Sequence, residues 1–212
     1  MEVKILFRLI RKICLLFILF VSGLFLSTQC KDDVSPNFIH YFYNIDSMCC
    51  DRIHVYNDTI YFDVEIYRSN ASERQADSLK SLYNDNHYNK VIDEDNIGGE
   101  VFVNHLDSIH VVSDADFNET HPAGALLDDL FDVGIYGYYG YLTSNYGRNG
   151  DFQWEFTKKI SDFEYKDGHL VNSFGISIPS NVSPIEKVHN LTITYYFTNL
   201  KPQVLKYKVE FK

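Results

Sequence analysis

Cysteine is scarce in this chain of 212 residues: Cys14, Cys30, Cys49 and Cys50. Cys49 and Cys50 are adjacent, and neighbouring Cα atoms lie about 3.8 Å apart across a trans peptide. Disulfides normally span about 4.4–6.8 Å, so a bond between these two would be strained and easily reduced. The pair reads as two small side chains in an apolar niche, with a redox element, metal binding and pairing with another chain as alternatives. Catalytic signatures are missing too. There is no His-Glu-x-x-His and no clustered Cys/His spacing, which removes the common zinc motifs. There is no Gly-x-Ser-x-Gly, and no Ser-x-x-Lys with a supporting motif, which removes the familiar nucleophile elbows. The sequence also lacks a repeat and a long linker.

Basic residues are few, and they crowd at one end. Of 19 Lys+Arg and 29 Asp+Glu, the first thirty residues hold four basic and one acidic, so the remainder keeps 15 against 28, a formal charge of −13. That balance argues against nucleic acid and against charge-driven binding to anionic lipid. It suits a solvated extracellular surface.

Lys4, Arg8, Arg11 and Lys12 precede an apolar run from Ile13 to Val21 that resumes at Leu24-Phe25-Leu26. Membrane-spanning helices need about 20 apolar residues, and this run is shorter and interrupted by Ser22-Gly23. A basic start, a short apolar core and a small polar stretch predict a secretory signal peptide. The ensuing Leu26-Ser27-Thr28-Gln29-Cys30 resembles the lipobox of bacterial lipoproteins, with Gln29 where Gly or Ala is usual. Cys30-Lys31-Asp32-Asp33 resembles the export signal of surface lipoproteins of Bacteroidetes-type bacteria. The resemblance implies cleavage before Cys30, lipidation of its thiol, and attachment to the outer membrane facing the cell exterior. The expected layout is a signal peptide over 1–29, a lipidated tether over 30–37 and a single domain over 38–212. Several acyl chains on one cysteine hold durably, since each buried methylene contributes about 0.8 kcal/mol.

Beyond the tether, aromatic residues are abundant: 16 Tyr, 16 Phe and one Trp. With β-branched residues they favour strands. Residues 38–43 and 52–56 read as the first two strands, and Asn57-Asp58 as a turn. In Thr59–Tyr67, Ile60, Phe62, Val64 and Ile66 alternate with polar or aromatic neighbours, the mark of a half-buried antiparallel strand. Ser72 and Gln75 fit a capping box, and Ala76, Leu79, Leu82 and Tyr83 share one helical face. Residues 121–131 predict a helical turn or two, with Thr120 as cap and Pro122 in the first turn. Lys166-Asp167-Gly168 reads as a hairpin turn. The C-terminus predicts a hairpin, with Leu191, Ile193, Tyr195 and Phe197 facing Leu205, Tyr207, Val209 and Phe211. About nine short strands with frequent turns and one or two short helices predict an all-β domain, an antiparallel β-sandwich of immunoglobulin-like type. The Cys…Trp…Cys hallmark is absent, and a small barrel is the alternative.

Tyrosine and glycine concentrate in Gly134–Tyr146. Tyr136, Tyr138, Tyr139, Tyr141 and Trp154 offer flat apolar faces with polar rims, suited to sugar rings; packing within a Gly-bent strand is the competing reading. Asp93–Gly98 and Asp114-Ala115-Asp116-Phe117-Asn118 mimic calcium loops without completing one. His105 and His110 are a weak zinc pair. Asp128, Asp129 and Glu155 are acids available for hydrolysis. Asp followed by Ser/Thr and an apolar residue recurs at Ser47, Thr59, Ser78 and Ser108 and resembles the O-glycosylation site of Bacteroidetes-type secreted proteins, with Ser78 set apart by its helical context. No metal or other cofactor is implied. The expected role is a noncatalytic module binding a glycan or an envelope protein. The alternatives are a structural or adhesion subunit of a surface assembly, and an extracellular polymer-degrading enzyme.

Overall fold

The computed structural model describes residues 39–83, 99–143 and 155–211, all within one compact unit, Pro36–Lys212. Among these residues, nine strands form two sheets. In chain order they are β1 (Ile39–Tyr56), β2 (Thr59–Asn70), β3 (Gly99–Phe102), β4 (Leu106–Ser113), β5 (Asp132–Gly137), β6 (Glu155–Lys159), β7 (Val171–Pro179), β8 (Val188–Phe197) and β9 (Gln203–Glu210). Helix α1 (Glu73–Leu82) follows β2 and the single turn α2 (Tyr139–Thr143) follows β5. Two 3₁₀ turns, Ile160–Asp162 and Tyr165–Gly168, join β6 to β7. No described helix is long and apolar enough to cross a membrane.

The strands run β3-β1-β2-β7-β5-β6 in one sheet and β4-β8-β9 in the other. Inward side chains of both sheets, Phe62, Val133 and Ile176 from the first and Ile109, Ile193 and Tyr207 from the second, form one core. The molecule is therefore an all-β sandwich. It divides its strands six and three, where an immunoglobulin constant-type domain divides them four and three. Pairing is antiparallel except between β1 and β3, which run parallel.

Alternation builds the sandwich. In β8, Leu191, Ile193 and Tyr195 have no exposed surface. On β9, Leu205, Tyr207 and Val209 point inward while Lys206 and Lys208 stay exposed, as the period of two requires. Asn57 and Asp58 both take positive φ, 46° and 58°, between the paired Tyr56 and Thr59. That is the two-residue type I′ hairpin, whose twist matches the flanking strands.

Four local expectations need correction. Residues 39–43 and 52–56 belong to one strand, β1, because bulges between Ile45 and Ser47 and between Cys50 and Ile53 absorb the extra residues and let pairing continue, while Phe38 lies outside the described residues. Residues 121–131 form no helix. The Asn118 carboxamide oxygen accepts from the N–H groups of Thr120 and His121, and Gly124 takes φ 81°; these local turns outcompete helical bonding. Lys166-Asp167-Gly168 lies within a 3₁₀ turn, not a hairpin. On α1 the capping box forms, with Ser72 N–H donating to Gln75 Oε1 at 3.0 Å. Leu82, however, is 70% exposed, while Ala76, Leu79 and Tyr83 pack against Phe42, Val101, Tyr138 and Leu170.

Gly168 is buried where this turn meets β4. A Cβ there would lie 1.8 Å from the Leu106 carbonyl oxygen. Gly168→Ala is expected to lower stability by about 3 kcal/mol or more through overpacking against backbone. Gly175→Ala, which meets open space, should shift the melting temperature by no more than a degree or two, roughly 0.5 kcal/mol. Thermal unfolding of both variants checks the contrast.

Candidate functional site

The aromatic-rich stretch divides between core and surface. In β5, Val133 and Ile135 turn inward, so Tyr136 points outward and is exposed. Tyr138, one step past the strand, is 6% exposed and packs with Phe42, Val101 and Leu170. Its N–H donates to the Leu170 carbonyl, so it is a core residue. Tyr139 opens α2 and stands at the rim of a cleft. Tyr141 belongs to α2, but its side chain lies outside the described residues, as does Trp154.

The cleft encloses about 430 Å³, within the range of about 300–1,000 Å³ common to small-ligand sites. Its floor is the paired Ile135 and Phe156, which share one face of β5 and β6. Tyr139, Gly140 and Thr143 of α2 form one wall, and Lys166, Asp167 and His169 an adjoining one. Lys158 crosses between floor and wall. Its Nζ donates to Asp167 Oδ2 at 2.6 Å and lies 5.2 Å from the Phe156 ring centroid. Asp167 Oδ2 also accepts from the Glu164 N–H at 2.8 Å, so the 3₁₀ turn itself holds the carboxylate in place.

An aromatic cluster backs this wall. The His169 ring lies 5.1 Å from Tyr139, 5.1 Å from Tyr165 and 4.1 Å from His105. The Tyr83 hydroxyl bonds His169 Nδ1. His105 is fixed between Asp107 Oδ1 and the Tyr165 carbonyl, each at 2.8 Å. Burial, and then the neighbouring His105 charge, hold the His169 imidazole down to about 4, with Asp107 opposing. Burial likewise pushes the Tyr83 hydroxyl up to about 12, so Tyr83 stays protonated and donates to a neutral imidazole.

Of the residues picked out for ligand binding whose side chains are described, Tyr139 is the one brought to this cleft. Phe156, Lys158, Asp167, His169 and the backing Tyr83 and Tyr165 were not singled out as a site. Asp167 carried only a turn signal. The other candidates separate. His105 and His110 bind different carboxylates, Asp107 and Asp128. Asp114 accepts from the N–H and the side-chain amide of Asn190, which hold its carboxyl below the usual range. Asp116 accepts from the Ala123 N–H. Asp129 meets His121, and Glu155 is exposed on β6. No group of three or more metal-binding side chains forms among the described residues. The Asp93–Gly98 loop lies outside them, as does Cys30. Cys49 and Cys50 are unbonded; their sulfurs approach Glu65 Oε2 and the Lys206 carbonyl, so each meets an oxygen in place of an apolar niche. Ser47 is exposed at the first β1 bulge, Ser78 is exposed on α1, and Thr59 and Ser108 are half-buried.

Comparison with protein-family models, with curated proteins and with solved structures returns no match for this chain.

A histidine held below its ordinary value makes stability depend on acid in one direction. Between pH 6.5 and about 4 the unfolded chain takes up a proton that folded His169 refuses. Its contribution is complete above about pH 6.5 and disappears as pH falls through about 4. Melting temperatures measured from pH 7.5 to 4.5 should fall less steeply for His169→Gln than for the parent. The carboxylates titrate in both, so the difference isolates this ring.

Proposed function

We propose that this chain is a lipid-anchored lipoprotein of the outer membrane, facing the cell exterior, whose sandwich is a noncatalytic module binding a glycan or an envelope protein. The anchor rests on the basic and apolar start and on Cys30 with its acidic successors. The binding role is carried by one observation: a concave site beside Tyr139 that joins an apolar floor to a fixed ammonium–carboxylate pair. Apolar lining with a few converging polar groups is what small-ligand sites offer, and concavity favours a sugar chain over a flat protein surface. The acids considered for hydrolysis support binding over cleavage, since Asp128 and Asp129 each hold a different histidine.

Glycan binding predicts that Tyr139→Ala weakens retention on immobilised polysaccharide roughly tenfold, the order of one lost aromatic contact of about 1–1.5 kcal/mol. Tyr196→Ala, a change at an exposed ring of β8 in the other sheet, should leave retention unchanged. Equal retention by all three proteins would remove the idea. Lipid anchoring predicts that Cys30→Ala moves the protein from the membrane fraction to the soluble one. Continued membrane association would make the apolar segment itself the anchor.

A further inference from the structure

Charge within the cleft is internally compensated. Lys158 pairs with Asp167 at 2.6 Å and Lys166 with Glu164 at 2.5 Å. His169, at about 4, is neutral at physiological pH. No uncompensated cation among the described lining residues awaits a carboxylate, sulfate or phosphate, and the chain outside its first thirty residues carries the formal −13 derived above. An anionic polymer would lose more hydration and meet more repulsion here than it regained.

The polar groups that do converge suit hydroxyls. Both bonds that hold Asp167 end on Oδ2, which leaves Oδ1 to accept from a ligand. The carboxylate is 9% exposed on its side chain, so it is fixed before a ligand arrives and loses little freedom on binding. Lys158 uses one proton on Asp167 and has two more to donate. An acceptor oxygen on Asp167, whose other oxygen lies 2.6 Å from the Lys158 donor, matches two neighbouring hydroxyls, one giving and one taking. Close by, Tyr139 and Phe156 supply flat apolar surface for the carbon-bound hydrogens of the same ring.

We infer that the cleft takes an uncharged pyranose residue of a neutral polysaccharide, its ring against Tyr139 and adjacent hydroxyls on Lys158 and Asp167. The inference rests on the glycan reading above and names the class of sugar. It is tested by affinity electrophoresis of the detergent-solubilised full-length protein. One set of gels contains neutral polymers (β-glucan, mannan, galactan), and another contains polygalacturonate. Each is run at low and high salt.

A neutral polymer should retard the protein equally at both salt concentrations. Tyr139→Ala and Lys158→Met should each weaken that retardation about tenfold. Thr143→Trp, which fills the cleft from an exposed position on α2, should abolish it even if the other two variants fold poorly; circular dichroism checks the fold of all three. Retardation by polygalacturonate that salt removes would overturn the neutral-sugar inference while leaving the glycan reading standing. Retardation by neither class would overturn both. Retardation by a neutral polymer that Thr143→Trp leaves intact would place the sugar elsewhere and overturn this assignment.

Discussion

Three strands cannot roof six. With neighbouring strands about 4.8 Å apart, a three-stranded sheet spans roughly 10 Å between its outer axes and a six-stranded one roughly 24 Å. The small sheet covers the middle of the large one. Tyr207 of β9 meets Phe62 of β2, and Tyr195 and Phe197 of β8 meet Phe174 of β7. At the β5–β6 margin the inner face must be closed by other means. The 3₁₀ turn at Tyr165–Gly168, seated against Leu106 through Gly168, and α2 do this incompletely. The cleft is what the mismatch leaves open, and half-buried Phe156 on the margin strand β6 gives its floor an apolar surface.

The acidic surplus shapes the polar side of the molecule in a parallel way. His54, His105, His110 and His121 each sit within 3.0 Å of a carboxylate, on Asp63, Asp107, Asp128 and Asp129. Where acidic residues outnumber the lysines and arginines that could neutralise them, 29 to 19, histidines become their partners. That pairing separates the imidazoles and uses the oxygens that a bound cation would need. His169 differs because aromatic rings surround it, and burial keeps it neutral.

Features governed by neighbours along the chain were legible from residues alone. Alternation in β8 and β9, the Asn57-Asp58 turn and the Ser72–Gln75 cap depend on spacings of two to four residues. Features that depend on what lies across a sheet were not. The polar interval between Asn44 and Asp51 looked like a break, because bulges that restore register show only against the partner strand β2. Residues 121–131 carry helix-compatible spacing, yet side-chain acceptors at Asp116 and Asn118 capture backbone donors at the start of the segment. In the tyrosine-rich stretch the ring types were informative but their destinations were not: one step of chain separates buried Tyr138 from Tyr139 at the cleft rim. The cleft itself gathers residues from β5, β6, α2 and the turn before β7, and nothing in their spacing announces that they meet.

β1 runs in the same direction as β7, since each pairs antiparallel with β2, and Phe42 near its start packs with Tyr138 and Leu170. The chain therefore enters the sandwich at the end that carries the cleft. On the proposed anchor, the eight tether residues, 30–37, reach at most about 29 Å when fully stretched. Such an anchor would keep the cleft within a short distance of the lipid headgroups. A polymer held there would lie along the cell like a rope against a hull, within reach of whatever else is rooted in the same membrane.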